Sequence, residues 1–133
     1  MTVVLDSNIL VELERGNPEI IRKIKEISRL HKEKPYVTSL SVGEIMCGAL
    51  KQDINKQFKI LERFKHFNIV NTSFSSGILL ANFKHILNKK GRKIPIIDLI
   101  IASIAVDNDL TLVTMDNHFK RIPGLDVIYI IQQ

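Results

Sequence analysis

Four acidic residues stand where carboxylates can act on a common ligand: Asp6, Glu44, Asp98 and Asp116. Asp98 is the plainest of them. Between Lys93 and Asp107 it is the only ionisable residue, set in the run IPIIDLIIASIAV. A helix that is apolar on every side is a buried one, and a lone buried carboxylate is costly unless something compensates it. A place in the first turn of the helix, near the positive end of its dipole, compensates only in part. Several carboxylates brought together repel one another and stay ionised only if a cation holds them. Oxygen ligands without cysteine select a hard ion, Mg²⁺ or Mn²⁺, over Zn²⁺. Such a site is suited to in-line displacement at phosphorus. Each acid also has a local explanation. Asp6 can cap the helix that follows it, and Glu44 can complete a capping box with Ser41. Asp98 can be a dipole-favoured helix start, and Asp116 can be an Asx-turn residue. Those explanations do not account for all four falling on one rim.

The elements that must position these acids alternate along the chain. TVVL at 2–5 reads as a short buried strand ending at Asp6. SNILVELER follows as a helix stopped by Gly16, and Asn17-Pro18-Glu19 restarts the chain as cap, first helical residue and first-turn acid. YVTSL at 36–40 is a second strand, and a helix over 41–51 is expected to begin at Ser41 and carry Glu44 in its first turn. A helix from about Asn55 to His66 precedes a strand at 68–72. Ser75 or Ser76 is the expected cap of a long helix through about Lys90. LTLVT at 110–114 and VIYII at 127–131 are the last strands. This alternation predicts an α/β fold, a three-layer α/β/α sandwich with a central parallel β-sheet. In such sheets the strand C-termini and the helix N-termini that follow share one rim, where ligands bind. Asp6 and Asp116 end strands, and Glu44 and Asp98 begin helices. Ser7, Asn8 and Thr114 lie beside the acids and suit hydrogen bonds to carboxylates, or serve only as turn residues. His118, beside Asp116 in DNHF, can assist catalysis but reads rather as a surface or loop-packing histidine, and Phe119 as the anchor of its loop.

The bulk composition narrows the function. At 133 residues, 45% hydrophobic and 25% charged, the chain is expected to form a single domain over 1–133 with a real core. No apolar run approaches the ~20 residues that span a bilayer. The start MTVVLD resembles no cleavable leader, so a cytoplasmic location is expected. The single cysteine, Cys47, excludes an internal disulfide and a Cys-based metal site; its apolar surroundings suggest a buried thiol. A net charge of +5 suits a polyanionic partner. Lys89, Lys90, Arg92 and Lys93, just before Asp98, can supply RNA contacts that offset the repulsion between acids and phosphate, or can be merely solvated. The segment 7–30 carries Ile9, Leu10, Leu13, Ile20, Ile21, Ile24 and Ile27, more apolar residues than one sheet face needs. That surplus suggests a protein-facing patch.

Four blocks, DSNIL at 6–10, SLSVGEI at 39–45, GRKIPIIDLIIASIA at 91–105 and LTLVTMDNHF at 110–119, resemble in order and separation the signatures of the PIN-domain nucleases. Among these the toxin ribonucleases of the VapC type are the nearest in pattern, over essentially the whole chain. The resemblance implies a PIN-like sandwich and a Mg²⁺- or Mn²⁺-dependent endoribonuclease that is homodimeric and neutralised by a cognate antitoxin. It places the family's acidic quartet, as catalytic and metal-binding residues, on Asp6, Glu44, Asp98 and Asp116, and its hydroxyl position on Thr114. Many relatives carry Asn in place of the last acid; the complete set here favours an active enzyme.

Other readings have different signatures. A housekeeping PIN nuclease in RNA processing, without an antitoxin, has the same residues. A receiver-like Mg²⁺-binding module needs paired acids after the first strand, an acid ending a middle strand and a late-strand lysine. Here the first strand ends in Asp-Ser-Asn, and NIVNT carries no acid. An RNA-binding module without turnover would differ only in lacking cleavage.

Overall fold

The structure, a computed structural model, describes residues 2–30 and 33–131. Strand β1 (Thr2–Leu5) leads into α1 (Ser7–Glu14) and α2 (Pro18–Arg29). Next come β2 (Tyr36–Thr38), α3 (Ser39–Ala49) and α4 (Ile54–Arg63), then β3 (Asn68–Val70) and α5 (Phe74–Lys89). The chain closes with α6 (Ile96–Asp107), β4 (Leu110–Thr114), a 3₁₀ turn at Asn117–Arg121, and β5 (Val127–Tyr129). The five strands form one parallel sheet in the order β3-β2-β1-β4-β5. The three-layer sandwich expected from the alternation is the one observed. Receiver-like domains have the order 2-1-3-4-5, so that reading does not fit this sheet.

Strand residues alternate between two cores, as the period of two requires. Val3, Leu5, Val37 and Val113 pack with Ile9, Leu10, Ile20, Ile24, Ile45 and Ile60 from α1 to α4. Val4, Leu110 and Leu112 pack on the other face with Phe83 and Leu87 of α5, Leu99 and Ile101 of α6, and Phe119. Gly16 (φ 74°) and Gly91 (φ 64°) adopt the left-handed conformation where α1 and α5 end, which glycine enters without steric cost. Among the described residues no helix is long and apolar enough to cross a membrane.

Several expectations are corrected. The cap of α3 is Thr38, whose hydroxyl accepts the Ser41 amide at 3.1 Å. The predicted box of Ser41 with Glu44 is therefore absent, and Glu44 lies one turn further along than expected. A threonine ending the strand competes for the cap role, and its hydroxyl reaches the third helical amide. Helix α5 is capped by Ser73, in a capping box with Ser76, not by Ser75 or Ser76. The strands at 36, 68 and 127 each span three residues, the first of them because α3 begins directly at Ser39. Cys47 is exposed, on the outer face of α3. Helix α6 is buried from Leu99 onward except at its edges, but Ile96 and Ile97 at its start are 49% and 39% exposed. Most of the apolar residues of 7–30 are used in the core: Ile9, Leu10, Ile20 and Ile24 are buried, Leu13 and Ile27 pack against the same cluster, and Ile21 alone of the seven stays outside it. Two helices, not one, use them. Exposed apolar residues lie on several elements, and those at helical spacing on α4 are Ile54, Phe58 and Leu61.

Candidate active site

Strand order reverses between β1 and β4, the place in an open α/β sheet where ligands bind. Asp6 follows β1 there and Asp116 follows β4, with Asp98 in the first turn of α6. Asp6 is 4% exposed. Its carboxylate accepts the Ser7 amide at 2.8 Å and the Thr114 hydroxyl at 2.7 Å. Thr114, fully buried, is the hub of the rim. Its oxygen also accepts from Asn8 Nδ2 at 3.3 Å and from the Asp116 amide at 3.1 Å. The Ser7 hydroxyl lies 2.8 Å from Glu44 Oε1 and 2.9 Å from Ser41 Oγ, so its one proton serves either acceptor. Glu44 is exposed and reaches the rim from the second turn of α3.

The four acids act on one another. Burial raises the Asp6 carboxyl above the usual carboxylate range; the Thr114 and Ser7 hydrogen bonds oppose this, and the charges of Asp98 and Glu44 add to it. Burial also raises Asp98, against the pull of the His118 imidazole and with the push of Asp116 and Glu44. Repulsion of this kind is what a bound cation relieves. Asp98, Asp116 and His118 each present a ligand atom, all within 4.8 Å of one another. Two carboxylates and an imidazole nitrogen at that spacing suit a divalent cation.

His118 both packs on its loop and meets two acids of the rim. Its Nε2 lies 3.0 Å from Asp98 Oδ2 and its Nδ1 lies 3.0 Å from Asp116 Oδ1, while the ring packs on Phe119 with centroids 4.7 Å apart. The spacing Asp-x-His after a strand was a signal for contact with Asp116. That Asp98 would face the other nitrogen required the sheet. Phe119, 1% exposed, does anchor this loop. Lys89, Lys90, Arg92 and Lys93 are exposed on the approach to α6; none pairs with an acid of the rim among the described residues. Sequence reasoning missed a cleft of about 540 Å³ between α1, α3 and α4. Glu44 lines it, together with apolar Val11, Ile45 and Ile60 and basic Arg15, Lys56, Lys59 and Arg63.

Removal of the hub hydroxyl tests this geometry. Thr114→Val keeps the shape but takes a donor from a buried carboxylate, and should cost about 1.5–3 kcal/mol at neutral pH. Because the lost donor served the ionised form of Asp6, the loss should shrink as pH falls toward 4. Urea melts of both proteins at the two pH values check this; an equal loss at both would show that Thr114 matters only for packing.

An open parallel sheet with an acidic cluster at its switch point defines an α/β protein built for a cation-assisted reaction. The PIN domain family profile matches residues 3–125, and the chain belongs to that family. It is 28% identical over 104 residues to the protein named Ribonuclease VapC3 of Methanocaldococcus jannaschii, covering 78% of this chain and 98% of that protein. Among solved structures it superimposes on a chain of VapBC2 from Rickettsia felis, bound to a DNA fragment from their promoter. The TM-score there is 0.85 at 25% identity, covering 97% of this chain and 98% of that one. VapBC-1 from nontypeable Haemophilus influenzae gives the same TM-score, 0.85, at 25% identity, again with 97% and 98% coverage.

Proposed function

We propose that this chain, as a single PIN domain over residues 1–133, is a Mg²⁺- or Mn²⁺-dependent endoribonuclease and the toxin of a toxin–antitoxin pair. The observation that carries the reading is the arrival of Asp6, Glu44, Asp98 and Asp116 at one rim of a protein with net charge +5. The likeness to proteins named as a ribonuclease VapC and as VapBC complexes supports it. These four acids would hold the ion. When bound it would supply Lewis-acid stabilisation of charge at phosphorus and make water acidic enough to attack.

The chain's own residues have separable tasks. Thr114 and the Ser7 amide fix both oxygens of the Asp6 carboxylate, so it needs no reorganisation during reaction. Ser7 holds Glu44, fixing this exposed carboxylate at the rim. Asn8 reaches from α1 to Thr114 and to the Met115 amide, tying the two sides of the switch point together. Exposed Lys89, Lys90, Arg92 and Lys93, with Lys56 and Lys59 in the cleft, would supply the positive charge that an RNA backbone requires. Ile54, Phe58 and Leu61 of α4 form an exposed apolar stripe beside that cleft, a surface suited to the antitoxin. A second copy of the chain is the other expected partner.

The chain purified free of partner should cut structured RNA with Mn²⁺ or Mg²⁺ and stop when chelator is added. Equal cleavage in excess EDTA would overturn the metal-dependent reading, and intact RNA under all conditions would reduce the chain to a binding module.

A further inference from the structure

We propose that His118 Nε2 is itself a ligand of the divalent ion, alongside Asp98, and that Asp116 orients the imidazole through Nδ1. The inference rests on the metal-dependent reading above and assigns a nitrogen donor to a site otherwise made of oxygen. Its basis is the placement of the ring. Nδ1 lies 3.0 Å from Asp116 Oδ1, and Nε2 lies 3.0 Å from Asp98 Oδ2. Nε2 is buried and makes no aligned hydrogen bond, although that contact has hydrogen-bond length. In a neutral imidazole one nitrogen donates and the other presents a lone pair. Both ring nitrogens thus sit beside carboxylate oxygens, and an ion placed between Nε2 and Asp98 Oδ2 would be held by both atoms.

Two further observations agree. Donor atoms at right angles on an ion with bonds of about 2.1 Å are separated by about 3.0 Å, the observed Nε2–Oδ2 spacing. A histidine that binds metal through one nitrogen commonly donates through the other to a carboxylate, and Asp116 occupies that place. The ring cannot drift far, because it stacks against Phe119, which is itself fixed in the core. One consequence is selectivity. Imidazole is a better ligand for first-row transition ions than for Mg²⁺, so the nitrogen should add more to the affinity for Mn²⁺ than to that for Mg²⁺.

Manganese is the probe. The full chain purified free of partner and loaded with Mn²⁺ should show, in pulsed EPR, the nitrogen modulation of a directly coordinated imidazole. His118→Gln should lose that modulation and bind Mn²⁺ about tenfold more weakly or worse, with a smaller loss for Mg²⁺. A wild-type spectrum without nitrogen modulation overturns the inference, as does an unchanged Mn²⁺ affinity in His118→Gln. In either case, loss of Mn²⁺ binding in Asp98→Asn leaves the carboxylate metal site standing. Absence of Mn²⁺ binding by the wild type removes both. The wild-type spectrum alone decides the matter if the variant fails to fold.

Discussion

Asp98→Asn should lower RNA cleavage about 100-fold or more, the rate equivalent of the several kcal/mol a well-held cation contributes at phosphorus. The metal-free variant should nevertheless be as stable as the wild type or more so. Asp98 is pushed above the usual carboxylate range by burial first, with Asp116 and Glu44 adding to it, so its charge is a net burden on the native state. A carboxyl with a raised folded pKa binds more protons in the native state than in the unfolded chain. Wild-type stability without metal should therefore improve as pH falls from neutral through the folded pKa, and level off below the ordinary value of 3.8. Asp6 is raised in the same direction and adds to the slope. Asp107 is lowered by its hydrogen bonds from Ser75 and Ser73, so it works the other way as pH drops toward 3.8. The improvement is thus sought between pH 7 and about 4, and it should be smaller in Asp98→Asn. Added Mn²⁺ binds the native state and should raise the melting temperature of the wild type but raise that of the variant much less. If Asp98 were only a favourable helix-start charge, the variant would lose about 0.3–1 kcal/mol and respond to Mn²⁺ as the wild type does. Thermal melts of both proteins, in EDTA and in Mn²⁺, separate these outcomes.

Phe119→Ala should be the most destabilising single change at the rim. Phe119 is 1% exposed in the core between the sheet, α5 and α6, and removing a buried phenylalanine costs about 3–5 kcal/mol. For a chain of this size that corresponds to a fall in melting temperature of roughly 10–20 °C. The loss should not be confined to packing. Phe119 fixes the short turn that carries His118 and follows Asp116, so the stabilisation gained from Mn²⁺ should shrink as well. Leu87→Ala, in the same core but on α5 and 2% exposed, serves as the control. It should lose stability yet keep its response to the ion. If Phe119→Ala is too unstable to purify, Phe119→Leu should show the same pattern on a smaller scale. Equal Mn²⁺ responses in the Phe119 and Leu87 variants would show that the turn is held by something other than Phe119.

The sequence by itself determined the layers and the rim. Short, nearly continuous apolar runs such as TVVL and LTLVT can be buried on both faces only in a parallel sheet covered by helices. Asp6, Asp98 and Asp116 were legible because each interrupts or ends such a run, where a charge has no place unless it is used. Glu44 was legible for a less secure reason. Its expected capping box does not exist, and at the rim it is held by Ser7 at the start of the neighbouring helix α1, which donates to it. The α1 and α2 apolar residues misled, because one-dimensional spacing does not say how many neighbours a helix must cover. Only the tertiary structure decided that most of their apolar residues are used in the core and that α4 carries an exposed apolar stripe. His118 marks the same limit. Its neighbour Asp116 is two residues away, but Asp98 is twenty positions earlier and meets the imidazole only because α6 begins where β4 ends. Local pattern specifies which residues are buried and which end an element. Which side chains meet across a rim is set by strand order, and the order β3-β2-β1-β4-β5 is a property of the packed sheet.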